Sequence, residues 1–157
     1  MKILGIDPGN VQSGYVLLEM PELKLLEFGK IPNEDLKEKL PELSAAADHI
    51  AIEYIASYGM PVGADVFDTC VWIGRFEEKM HPVKATRIFR REEKIQLCNS
   101  SKAKDSNIRQ ALINRYAKFD FKNGKGTKKE QDTFYGVSKD VWSAIAVAVT
   151  YYDLYIF

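Results

Sequence analysis

The sequence predicts an α/β protein: a mixed five-stranded sheet, made of a three-strand meander followed by parallel strands, with helices on both faces. Three observations lead there. The first thirty residues hold three apolar or alternating segments separated only by short turn-rich stretches. Further on, HIAIEYI is nearly continuously apolar, as in a strand covered on both sides. From that point strand-like segments alternate with helical periodicity. At 157 residues the chain has about one domain's length, enough to remove roughly 70% of the unfolded surface from water, so one domain over residues 1–157 is expected.

Taken in order, Lys2 to Asp7 and Gly14 to Glu19 read as strands joined by the turn DPGNVQS, and Leu23 to Lys30 as the third strand of the meander. Asn33 is placed to cap a helix running to about Ala47, and His49 to Ile55 forms the fourth strand. The helix from Ala64 to Met80 is apolar around much of its circumference (Val66, Phe67, Cys70, Val71, Trp72, Ile73, Phe76), more than one core contact needs. Either it is deeply buried or it meets a partner. Thr86 to Arg90 is a fifth, short strand. Helices follow over Arg91 to Cys98, Lys104 to Lys118 and Asp140 to about Tyr152, with KNGKGTKKEQD before the last of them expected to be a mobile basic loop.

Composition narrows the function classes. With 46% hydrophobic and 28% charged residues, extended disorder is not expected. The longest apolar run, Ala144 to Val149, is too short to span a bilayer, and MKILGID lacks the stretch a signal peptide needs, so a cytoplasmic protein without membrane association is expected. Cys70 and Cys98 form no CxxC pair and sit in apolar helical patterns, which favours reduced thiols over a disulfide or zinc site. Residues 1–80 hold 7 Lys+Arg against 14 Asp+Glu, a net of −7, and residues 81–157 hold 15 against 8, a net of +7. The basic half interleaves Phe89, Tyr116, Phe119 and Phe121. This is either the footprint of a phosphate-gripping surface or a set of solvated helix faces, since runs such as RREEK carry their own counter-charges.

Three carboxylates stand at the ends of apolar segments: Asp7 and Glu53 in strands, Asp140 opening the last helix. A buried, unpaired carboxylate costs several kcal/mol, and a hard cation satisfies several at once. Asp7 alone reads equally as the start of an Asp-Pro-Gly turn, and Asp140 as a first-turn acid after a Ser138 cap. Glu53 does not, because Ala51 and Ile55 are its neighbours on the same strand face. If the first and fourth strands are neighbours, Asp7 and Glu53 meet at the carboxyl edge of the parallel strands, where reactive groups of such sheets gather, and helix packing can add Asp140.

These segments resemble the RuvC-like Holliday junction resolvases of the RNase H-like fold, and in particular their shorter phage-encoded branch. The resemblance is carried by ILGIDPGNVQSGY, AIEYI, KAKDSNIRQALINRY and KDVWSAIAVAVTYYD, in order over nearly the whole chain. It implies that Asp7, Glu53 and Asp140 bind two magnesium ions and that Lys104 lies near the scissile phosphate. Two positions depart from the family pattern. Where a second acid usually stands one turn into the closing helix, this chain has Ser143, which could hold a metal-bound water but supplies no charge. Either one metal site is weaker or Asp132 substitutes. Where an aromatic wedge often follows the strand acid there is Ala56, so Tyr58 or Met60 is the candidate to enter the branch point, against plain loop or core packing.

The implied chemistry is metal-assisted phosphodiester hydrolysis, with two magnesium ions roughly 4 Å apart and manganese as a substitute, giving 5′-phosphate and 3′-hydroxyl ends. Lys102, Lys104, Arg109 and the loop lysines Lys125, Lys128 and Lys129 are the expected contacts to the DNA backbone. Paired nicks in a two-fold symmetric four-way junction suit a homodimer, for which the Ala64 to Met80 helix is the candidate interface; forks are a further branched substrate. Two other readings stand beside this one. One is a junction-binding protein without catalysis, suggested by Ser143. The other is an actin-like nucleotide-binding domain, suggested by DPGNVQSG but opposed by the lack of a second glycine-rich loop.

Overall fold

A computed structural model describes all 157 residues. Strands β1 (Lys2–Asp7), β2 (Gln12–Glu19) and β3 (Lys24–Pro32) form the antiparallel meander, while β4 (His49–Tyr54) and β5 (Thr86–Phe89) continue the sheet in parallel on the other side of β1. The strand order is β3-β2-β1-β4-β5. Parallel neighbours need a crossover. Helix α1 (Asn33–Ala46) precedes β4, and α2 (Ala64–Met80) links β4 to β5. Beyond β5 come α3 (Arg90–Cys98), α4 (Asp105–Tyr116) and α5 (Lys139–Tyr151), which runs into a π-type turn at Tyr152–Ile156. The mixed five-stranded α/β architecture read from the sequence is the one observed.

Strand alternation assigns the two faces. Leu4, Ile6, Tyr15, Leu17, Ile50 and Ile52 meet α1 (Leu36, Leu40, Leu43) and α2 (Ile73, Phe76, Met80) on one side. Ile3, Val16, Leu18, Ala51 and Ile88 meet α5 and the inner residues of α4 on the other. Helix α5 buries Val141, Trp142 and every residue from Ala144 to Tyr151, so it is the central element of that layer. It lies close because two glycines let it. A Cβ at Gly5 would come within 2.4 Å of the Ala144 carbonyl oxygen, and one at Gly14 within 2.4 Å of the Asp140 carbonyl oxygen. The start of α5 is thereby pressed onto the end of the meander.

Several local expectations need correction. Asn33 does not cap α1: its side chain is buried, accepts from Ser13 Oγ at 2.6 Å and donates to the Gly9 carbonyl at 2.9 Å, tying the DPGN turn to the helix start. The basic stretch after α4 is a structured loop. Asp120 accepts the N–H groups of Asn123, Lys125 and Gly126, and Phe134 donates its N–H to the Gly124 carbonyl. Helix α4 ends at Tyr116, two residues early, where Lys118 turns its N–H onto Asp132. Of the two readings of α2, deep burial is not what the structure shows. Only Thr69, Ile73, Phe76 and Met80 are buried, while Phe67 and Val71 are 61% and 53% exposed. Cys70 and Cys98 are free thiols, both half-buried, and no helix is long and apolar enough to cross a membrane.

Candidate functional site

The carboxyl ends of β1, β4 and β5 form one edge, and the chemistry collects there. Ile6 pairs with Ile52 in parallel register, which sets Asp7 and Glu53 side by side one step further along. Both fall in the alternation that faces α5, whose first turn brings Asp140. Tyr54 pairs with Phe89 at the end of β5, and α3 starts at the next residue, so its first turn delivers Arg90 and Glu93 to the same edge. Glu93 was not among the residues expected from sequence. It is 0% exposed.

The carboxyl groups interact as a chain. Burial, a hydrogen bond shared with Glu53 and the charges of Glu53 and Asp140 push Asp7 up to about 9, against the pull of Arg90. Burial followed by the charge of Glu93 pushes Glu53 up to about 8, and burial pushes Glu93 up to about 7 although Glu53 and Arg90 draw it down. Asp7 is thus raised by its neighbour Glu53, and Glu53 by its neighbour Glu93. With all three ionised, Glu53 Oε1 and Glu93 Oε2 are buried without a hydrogen-bond partner.

Two cations offset part of this charge, and the sequence reading had missed both. Arg90 Nη1 lies 4.0 Å from Glu53 and 3.4 Å from Glu93, and its Nη2 pairs with Asp105 at the start of α4. Lys30 Nζ lies 2.6 Å from Asp140 Oδ2. The register explains Lys30: Asp7 lies opposite Gly14, and Gly14 opposite Lys30, so all three share one row at the sheet's end. As the side chains stand, no three of the His, Cys, Asp and Glu groups form a ready-made metal cage. The carboxyl groups face one another and the two cations. The donor set is nonetheless all carboxylate oxygen, two of its atoms are buried without a hydrogen-bond partner, and that chemistry fits a hard divalent ion.

Asp132, the expected substitute for the missing closing-helix acid, is used elsewhere. Burial alone would raise it, but the N–H groups of Lys118, Phe119, Asp120 and Thr133 all donate to its carboxylate and hold it below the usual range. It organises the basic loop. Ser143 is half-buried and lines a narrow groove with Arg90, Asp105, Arg109, Lys139 and Trp142. Arg109 and Trp142 also line a second groove, between α4 and the basic loop, where Lys122 and Lys125 stand. A basic track thus leads away from the acids. Lys102, Lys104, Lys128 and Lys129 are exposed, as are Phe119 and Phe121. Tyr58 and Met60 project from the loop between β4 and α2, 61% and 71% exposed, which removes core packing as an account of either.

The turn that suggested a nucleotide phosphate loop spends its polar groups internally. Gly9 N–H donates to Ser13 Oγ at 3.0 Å, and its carbonyl is held by Asn33. A signal for Glu93 and Arg90 existed: RREEK follows directly on a short parallel strand, and the carboxyl ends of such strands are where functional groups gather. Lys30 carried no such mark, since only the register of the meander places it.

A mixed five-stranded sheet in this order, with acids at the carboxyl edge and a closing helix packed on the meander, has the RNase H-like α/β fold. Among solved structures the chain is similar to Thermus thermophilus RuvC, with a TM-score of 0.70, 17% identity, and 98% of this chain and 95% of that one covered. It is also similar to T. thermophilus RuvC in complex with Holliday junction substrate, with a TM-score of 0.66, 13% identity, and 96% and 92% covered. No protein-family model and no curated protein matches the sequence. The likeness is one of fold.

Proposed function

We propose that the chain is a structure-selective DNA endonuclease that hydrolyses phosphodiesters in branched DNA, Holliday junctions first and forks second, with a divalent metal, leaving 5′-phosphate and 3′-hydroxyl ends. The observation that carries this reading is the meeting of Asp7, Glu53 and Asp140, from three separate elements, at the carboxyl edge of the parallel strands. A purely structural acid cluster is hard to justify where burial already forces protons onto it. The similarity to a RuvC solved with a junction supports the substrate class. The four sequence motifs support the shorter, phage-type branch and one nuclease domain over residues 1–157.

Asp7, Glu53 and Asp140 would hold the magnesium ions, with manganese accepting the same oxygen donors. Bound divalent ions supply Lewis-acid activation of water and stabilisation of the leaving 3′ oxygen. The chain's own residues do the rest. Lys104 and Lys102, at the start of α4 beside the Arg90–Asp105 pair, and Arg109 one groove further on bind phosphates; Lys125, Lys128 and Lys129 extend that grip without reading sequence. Tyr58 and Met60 are free to enter the branch point. The open face of α2, with Phe67 and Val71, supports a symmetric homodimer that presents two such sites to the two strands of a junction. Free thiols fit a reducing, cytoplasmic setting.

The test is cleavage of labelled four-way, forked and linear duplex DNA in magnesium by the wild type and by Glu53→Gln. Paired nicks in branched substrates, slowed at least about a hundredfold in the variant, are the expected result. A protein that neither binds nor cuts these substrates ends the proposal. One observation favours a second reading, junction binding without cleavage: Lys30 and Arg90 already compensate the acids from within. Binding with no nicking, in either magnesium or manganese, would select it.

A further inference from the structure

We propose that Glu93, on the first turn of α3, supplies the fourth carboxylate of the metal site and takes the place left by Ser143 on the closing helix. The proposal rests on the nuclease reading above and assigns a ligand that the closing helix does not offer. Glu93 is fully buried, and a buried carboxylate is costly unless it is paired. Its pairing is poor. Oε2 has no partner, and Oε1 meets only Arg90, at the long distance of 3.4 Å. That guanidinium is also shared with Glu53 and Asp105, so one positive charge faces three carboxylates, with Asp7 close behind.

The ordinary reason for an acid in a helix's first turn is to cap the free N–H groups and meet the helix dipole. At α3 that work belongs to Glu92, whose Oε2 accepts the Phe89 N–H at 2.7 Å. Glu93 points the other way, into the sheet edge, where the Arg90 guanidinium lies between it and Glu53. Its orphaned oxygen and Glu53 Oε1, which has only the distant Arg90 at 4.0 Å, are the two buried carboxylate atoms without a hydrogen-bond partner. Ser143 borders the neighbouring groove beside Arg90 and brings no charge. A divalent ion held by Asp7, Glu53, Asp140 and Glu93 would satisfy both orphaned atoms at once.

Manganese alone, titrated without DNA into the wild type, Glu53→Gln, Glu93→Gln and Glu92→Gln and followed by the loss of the free-ion electron paramagnetic signal, tests this. Glu53→Gln and Glu93→Gln should each weaken binding at least about tenfold, while Glu92→Gln binds as the wild type does. In chelator, Glu93→Gln should melt no lower than the wild type, because it removes a buried charge rather than a needed ion pair. If Glu93→Gln binds manganese normally while Glu53→Gln does not, Glu93 is not a ligand and the nuclease reading survives. If the wild type binds no manganese, the nuclease reading falls and the proposal with it. Should Glu93→Gln unfold, Glu93→Asp decides: wild-type affinity in that shortened variant overturns the proposal, and a tenfold loss supports it.

Discussion

Asp132 and Glu93 are both acids with almost no exposed surface, 6% and 0%, and they are buried for opposite reasons. The carboxylate of Asp132 is surrounded by backbone N–H donors, which hold its pKa low and fasten the two ends of the loop between α4 and α5 to each other. Asp132→Asn keeps the shape but loses charge-assisted acceptance, so it is expected to cost about 1.5–3 kcal/mol in urea denaturation while leaving manganese binding unchanged. Glu93, Glu53 and Asp7 are the reverse case, raised to about 7, 8 and 9. Between an ordinary carboxylate pKa and those values the folded chain holds protons that the unfolded chain has released. Stability in chelator should therefore fall as pH rises from about 5 to about 9, by at most about 1.4 kcal/mol per pH unit for each such group. Glu27, Asp120 and Asp132 are held low instead, so what they contribute is lost below that window, as pH falls through the acid range. Thermal melts in chelator across both ranges, repeated with magnesium, check the sign: the alkaline decline should flatten when the metal is present.

At the scale of the element, the site depends on how closely α5 approaches the sheet. Gly14 lies in β2 opposite Asp7, and the Cβ it lacks would meet the Asp140 carbonyl oxygen at 2.4 Å and the carbonyl carbon at 2.9 Å. These are backbone atoms that cannot swing aside. Gly14→Ala is expected to push the first turn of α5 off the sheet, at about 1–3 kcal/mol of stability, and to slow the proposed junction cleavage by moving Asp140 away from Asp7. Denaturation midpoints together with single-turnover cleavage rates check both halves. Helix α3 works in the same way on the other flank. Because β5 is only four residues long and α3 follows without a loop, Arg90 and Glu93 have little freedom to leave the edge.

For the whole molecule the open question of surface is α2, which buries one face against the sheet and leaves Phe67 and Val71 outside. Val62, Met60 and Tyr58 continue the exposed apolar surface along the preceding loop. Phe67 lies outside both core clusters, so Phe67→Asp is expected to leave the fold intact and, on the proposal that this face makes a homodimer, to shift the protein from dimer to monomer in sedimentation velocity. The paired nicking proposed for a four-way junction should then decay into uncoupled single nicks. A wild type that sediments as a monomer would end the dimer proposal, and a dimer unchanged in the variant would remove this face as its contact.

Much of this protein is local chemistry and was legible in the chain. Period-two and helical patterns placed all five strands and five helices, with differences of a few residues at their ends. Asp7, Glu53 and Asp140 stood out because each is a charge at the end of an apolar segment, a mismatch visible without coordinates. Where the pattern was ambiguous, the three-dimensional arrangement decided. Asp132 and Glu93 look alike in sequence, a polar residue in a polar run, and only the backbone around each shows that one is satisfied by N–H groups and the other by almost nothing. Lys30 reaches Asp140 through strand register, and Arg90 reaches Glu53 through the pairing of β4 with β5. Such partners are far apart along the chain. Periodicity tells a residue which face to take, but the charges that will share that face are set by pairing and packing between elements, and that is information only the tertiary structure holds.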